Sequence, residues 1–130
     1  MKHLSTSIRV LFATLLIVFS AGQASAEFKE TYTSEAFNTA QNAGKHIIVE
    51  VFKQGCGTCK AQQPALKQAK QDHPGAVFLA VDFASNATAV QKFKVVKQST
   101  IIVFKDGKEV ARLVGETAKD KILDAIAKGV

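Results

Sequence analysis

Cys56 and Cys59 are the residues whose type and spacing carry chemistry most directly, and the chain holds no other cysteine. Thiols at i and i+3 face the same side of a helix, so their sulfurs can bond to each other. The segment Gly55-Cys56-Gly57-Thr58-Cys59 reads as a turn that opens a helix running from Cys56 to Gln71. Unpaired amide N–H groups and the positive end of the helix dipole favour a thiolate at Cys56. The chemistry is thiol–disulfide exchange. Cys56 is the exposed nucleophile, and Cys59, deeper in the helix, resolves the mixed disulfide. Two blander readings compete. Half a zinc site needs two more ligands, and His46 and His73 lack paired spacing. A purely structural bridge would close a loop too small to stabilise the fold much. A Cys-x-x-Cys between a buried strand and a helix favours the redox reading.

The elements that must position this pair follow from pattern. His46 to Phe52 is a nearly continuous apolar run, which predicts a strand buried on both faces. It delivers the chain to the cysteines at its carboxyl end, where open α/β sheets place their ligand sites. Pro64 interrupts the interior of the cysteine helix and is expected to kink it. A helix is predicted before the strand, with Ser34 as N-cap and Gly44 as its C′ residue. Ala76 to Val81 reads as a second buried strand, and Ala87 to Phe93 as a short helix. Thr100 to Phe104 and Glu109 to Val114 read as a hairpin turned at Asp106-Gly107. Thr117 is expected to cap a last helix whose inner side carries Ala118, Ile122, Leu123, Ala125 and Ile126. Phe28 to Tyr32 can add a leading strand. The order predicts a three-layer α/β/α domain around a central mixed β-sheet.

The chain has 130 residues, room for one ordinary domain. Its N-terminus is set apart. Lys2, His3 and Arg9 precede an uncharged apolar run, Val10 to Phe19, and Ala24-Ser25-Ala26 follows. That is the pattern of a secretory signal over residues 1–26, cleaved after Ala26, with the domain over residues 27–130. The run is shorter than the ~20 residues of a spanning helix, so membrane contact is expected only during export. Two of the 17 Lys and Arg residues and none of the acids fall in the signal, so the domain is mildly basic. Scattered charge of that kind is a solvated surface rather than a nucleic-acid footprint. A periplasmic or secreted monomer is expected.

The resemblance to a known family rests on these residues. Ile47 to Lys60 is similar to the second strand and active-site turn of the thioredoxin family, with Cys56-Gly57-Thr58-Cys59-Lys60 in place of Cys-Gly-Pro-Cys-Lys. Pro64 stands where that family kinks its helix. Thr100 to Gly107 resembles its strand and hairpin after the cis-proline. The resemblance implies a thioredoxin-like domain and a redox-active Cys56–Cys59 disulfide. It also implies a proton-transfer role for Glu50, which falls where the family has a buried Asp. A carboxyl amid Ile48, Val49, Val51 and Phe52 loses its water, and a base so placed can deprotonate Cys59 directly or through water. The family's lysine partner to that acid corresponds to Phe78, so the counter-charge is expected to be missing.

Three departures bear on specificity. Gly55 replaces a Trp, which opens access to Cys56. Thr58 replaces the proline between the cysteines, and its hydroxyl and N–H can donate toward the sulfur. Donors favour the thiolate, hence the reduced form and a less reducing couple. Ser99 takes the place of the cis-proline. A cis bond there costs ~2.5–4 kcal/mol, so a trans bond and a rearranged substrate loop are expected, with the Ser99 and Thr100 hydroxyls able to approach the thiolate.

The leading expectation is an exported thiol–disulfide oxidoreductase acting on protein or small-molecule disulfides. It uses no cofactor beyond Cys56–Cys59, no metal, and an upstream redox partner to reset the pair. The alternative is a module on the same fold that binds a redox partner or Cu(I) with little turnover.

Overall fold

The computed structural model describes residues 28–130. The expected signal segment lies outside the described residues. In chain order the elements are β1 (Glu30–Thr31), α1 (Ser34–Asn42), β2 (Ile47–Phe52), α2 (Gly57–Asp72), β3 (Val77–Asp82), α3 (Ala87–Lys92), β4 (Thr100–Lys105), β5 (Lys108–Val114) and α4 (Lys119–Ala127). They form a five-stranded sheet in the order β1-β3-β2-β4-β5. β1, β3 and β2 run parallel, and β4 and β5 are antiparallel. The mixed sheet expected from the element order is the sheet observed.

Side-chain alternation divides the core. Ile47, Val49 and Val51 of β2 join Phe37 and Ala40 of α1 and Ala89 of α3 on one face. Phe37, Phe93 and Phe104 meet edge-on or tilted there, with centroids 5.1 to 5.7 Å apart. Ile48 points the other way, against Ala65, Leu66 and Ala69 of α2 and Ile122 and Ile126 of α4. Each large side chain so buried contributes ~1.5–3 kcal/mol. Glu50 shares the parity of Ile48 and therefore lies on the α2 side of the sheet, at its central strand.

The helix caps differ in detail from the sequence reading. Thr33, not Ser34, caps α1, with its hydroxyl accepting from Ala36 N at 3.0 Å. The residue with extended backbone is the one whose oxygen can turn back on the helix, and Thr33 has that conformation. Thr117 does not cap α4. Its own N–H, with that of Ala118, donates to Glu116 Oε1 at 2.9 and 2.8 Å. The bond from Ala118, chief among its causes, holds the Glu116 carboxyl below its ordinary pKa. Gly44 ends α1 at φ 63, and Asp106 and Gly107 at φ 48 and 75 make the tight hairpin turn.

Candidate active site

A four-residue turn carries the chain from β2 into α2, closed by Cys56 N–H donating to Lys53 O at 3.2 Å. Its third residue, Gly55, has φ 77, in the region that favours glycine. A Cβ there would meet nothing within 4 Å. The open approach to Cys56 is thus built into the backbone as well as into the absent side chain.

Cys56 is the N-cap of α2, and Cys59 lies in its first turn. The two form a disulfide, with Cα atoms 5.3 Å apart. Cys56 Sγ also serves as the capping acceptor, taking the Cys59 N–H at 3.1 Å. Cys56 is half-buried, whereas Cys59 is only 5 % exposed. The expected Thr58 donation is not found among the described residues. An N-cap atom reaches back to the third helical N–H, and here that N–H belongs to Cys59.

Ser99 stands directly over the pair. Its hydroxyl is 3.2 Å from Cys56 Sγ and 3.2 Å from Cys59 Sγ. No cis peptide occurs among the described residues, and Ser99 instead takes φ 62. Its backbone continues the sheet, with its N–H on Val51 O at 2.8 Å and its carbonyl receiving Gly115 N–H at 2.9 Å. Thr100 does not join it at the sulfurs. The Thr100 hydroxyl donates to Lys97 O at 2.7 Å, because alternation along the strand turns it away from the face Ser99 presents.

Glu50 is buried, 3 % exposed, and its counter-charge is present. Lys29 Nζ lies 2.5 Å from Glu50 Oε2. The expectation that this cation is missing is therefore corrected. Phe78 lies on β3 opposite Ile48, two residues from Ala80, which is opposite Glu50, and the ammonium arrives from the segment before β1. Its Nζ lies over the rings of Phe28 and Phe52, 5.5 and 5.4 Å from their centroids. Gln63 completes the shell. Its Nε2 donates to Glu50 Oε1 at 2.6 Å and to Cys59 O at 3.1 Å, and its Oε1 accepts from Lys29 at 3.1 Å. Glu50 thus connects to the Cys59 backbone through one amide.

These groups share a cleft of about 380 Å³ whose lining includes Lys29, Glu50, Gly55, Cys56, Cys59 and Gln63. Cys56, Gly57 and Cys59 line this cleft together with Glu50, and Ser99 meets the two sulfurs through its hydroxyl. Sequence reasoning missed Lys29, Gln62 and Gln63. Gln62 and Gln63 lie three and four residues past Cys59, a helical spacing that puts them on its side of α2. Lys29 has no comparable local signal.

Residues 15–128 match the family model described as Thioredoxin. A thioredoxin of Chlamydia trachomatis serovar D is 35% identical over 82 residues, covering 63% of this chain and 80% of that protein. An H-type thioredoxin of Fagopyrum esculentum is 30% identical over 94 residues, 72% of this chain and 80% of that one. Among solved structures, Trxlp from Edwardsiella tarda EIB202 superposes with a TM-score of 0.69 at 32% identity, covering 72% of this chain and 93% of that one. Fasciola hepatica thioredoxin superposes at 0.64 with 28% identity, over 74% and 93%.

Proposed function

Because this chain belongs to the thioredoxin family and is a thiol–disulfide oxidoreductase, we propose that Cys56 is its attacking thiol and Cys59 its resolving thiol. The Cys56 thiolate attacks one sulfur of a client disulfide and expels the other as a thiolate, leaving Cys56 in a mixed disulfide. Cys59 loses its proton and attacks Cys56 Sγ. The intramolecular disulfide forms, and the client leaves with both its sulfurs reduced. Two electrons have passed from the pair to the client, and a dithiol partner returns them.

One observation carries the assignment. The donors of the site converge on the sulfurs, with the Cys59 N–H on Cys56 Sγ at 3.1 Å and the Ser99 hydroxyl at 3.2 Å from both. Such donors stabilise charge on sulfur and lower the pKa of the thiol that carries it. They also favour the reduced form, so the couple is a weaker reductant than a donor-poor one. Glu50 receives the Cys59 proton, through water in the shared cleft, while Lys29 and Gln63 hold its carboxylate in place. Residues 1–26 act as a cleaved signal, and the clients are disulfides of exported proteins in a periplasmic or equivalent space.

Insulin reduction with a recycling dithiol tests the roles. Cys56→Ala is expected to abolish turnover, and Cys59→Ala to accumulate a mixed disulfide on Cys56. Turnover surviving in Cys56→Ala would remove the nucleophile assignment. N-terminal sequencing of the protein recovered outside the cytoplasm is expected to begin at Glu27. An intact Met1 there refutes processing.

A further inference from the structure

Gln62 belongs to α2, and its side chain is 0 % exposed. A glutamine removed from water needs partners for two donors and a carbonyl. Its Nε2 donates to the Ser99 carbonyl at 3.2 Å and to the Glu116 carbonyl at 2.8 Å. Two carbonyl oxygens on the same side determine which end of the amide faces them, because only nitrogen can donate. Its Oε1 is left buried without a partner. An apolar side chain of the same size would avoid that penalty, and the buried positions that follow on α2, Ala65, Leu66 and Ala69, are apolar. The two donations therefore offset a real loss.

What they hold is a strained residue. A non-glycine residue at φ 62 is disfavoured and needs its surroundings to fix it. The Ser99 N–H is tied to Val51, and its carbonyl to Gly115 and to Gln62. The hydroxyl is then left beside the two sulfurs.

We propose that Gln62 is a positioning residue of the redox pair: its amide clamps the Ser99 carbonyl, maintains the left-handed backbone there, and so keeps the Ser99 hydroxyl against Cys56 and Cys59. This rests on Cys56 being the attacking thiolate. A hydroxyl has one proton to give. In the disulfide it is placed between two neutral sulfurs. After reduction it turns to the sulfur that carries charge, where the bond is charge-assisted. The bond to Glu116 anchors the same amide to the loop that leads into α4, so the clamp does not ride on Ser99 alone.

The test is a double-mutant cycle on the reduced full-length chain, read as the pH profile of Cys56 alkylation. Gln62→Met keeps the length of the side chain and removes its donors. Gln62→Met and Ser99→Ala are each expected to raise the apparent pKa of Cys56 by about one unit, a tenfold loss of thiolate below it. The double variant should shift no further than Ser99→Ala alone, because both act through one hydroxyl. If Ser99→Ala leaves the profile unmoved, the hydroxyl is not a donor to the thiolate and the role of Gln62 goes with it. If Ser99→Ala shifts the profile and Gln62→Met does not, the clamp alone is refuted. Additive shifts mean that Gln62 works by another route and also refute it. Should Gln62→Met not fold, the wild type decides by NMR. The Gln62 side-chain amide protons should be protected from exchange and move on reduction, and exchange at the solvent rate overturns the proposal.

Discussion

Replacing Lys29 with Met removes the ammonium from a buried carboxylate. Glu50 is 3 % exposed and Lys29 14 % exposed, so the pair sits mostly out of water. Deleting one partner of a buried pair costs ~3–5 kcal/mol, because the other charge is left uncompensated. Two features reduce that figure here. Lys29 keeps some solvent contact, and Gln63 still donates to Glu50 Oε1 at 2.6 Å. A loss of ~2–3 kcal/mol at neutral pH is expected. In a domain of this size that corresponds to a melting temperature lower by ~10–15 °C. Denaturant unfolding of wild type, Lys29→Met, Glu50→Gln and the double variant completes the measurement. The double variant should recover most of the loss, since no unpaired charge remains. A loss below ~1 kcal/mol in Lys29→Met, or no recovery in the double variant, would refute the reasoning. The contact would then be a surface ion pair of the ordinary, weak kind.

Other perturbations have defined outcomes. Ser99→Ala is expected to make the Cys56–Cys59 couple more reducing by ~30 mV, the equivalent of one lost unit of thiol acidity, as read by equilibration with a glutathione buffer. His46 has both ring nitrogens buried without hydrogen-bond partners and lies 5.5 Å from the His73 ring. Burial first, then the charge of His73, lowers its pKa from the ordinary 6.5. In the window between 6.5 and that lower folded value the unfolded chain binds the proton and the folded chain does not. Stability is therefore full above 6.5 and falls as pH drops through the window, and His46→Phe should flatten that slope in denaturant midpoints measured against pH. Gly55→Ala should lose ~1–2 kcal/mol from its left-handed backbone while leaving the site unobstructed, seen as a lower midpoint with insulin reduction retained.

Much of this architecture could be read from local pattern because burial writes itself into strands. Ile47 to Phe52 and Thr100 to Phe104 are apolar at nearly every position, and both prove to be interior strands of the sheet. Gly44 and Asp106-Gly107 declare themselves because few residues tolerate their backbone angles. The cysteine pair declares itself by spacing. What stayed hidden depends on partners distant in sequence. Lys29 meets Glu50 across 21 residues, and a lone lysine near a chain start reads as a solvated charge. Gln62 looks like any polar helix residue until the Ser99 and Glu116 carbonyls are seen to converge on it. The cap at Thr33 lies one position before the Ser34 expected for it, because adjacent polar residues compete for the role and backbone conformation decides between them, and α4, with Ala118 at its N-cap, has no side-chain cap at all.

Pro64 divides α2 mechanically. It has no N–H to donate to the Lys60 carbonyl, so the helical ladder is broken between the turns that hold the sulfurs and the turns that pack on the sheet. The later half is bolted down by Ala65, Leu66 and Ala69. The earlier half is registered against Ser99 and Glu116 through Gln62 as well as within its own helix. Both sulfurs therefore lie on the N-terminal side of the missing bond. In exchange terms, amides from Thr58 to Gln63 are expected to open as a unit of lower stability whose protection changes with redox state, and those from Leu66 to Ala69, beside the buried core, are expected to keep the protection of the global fold.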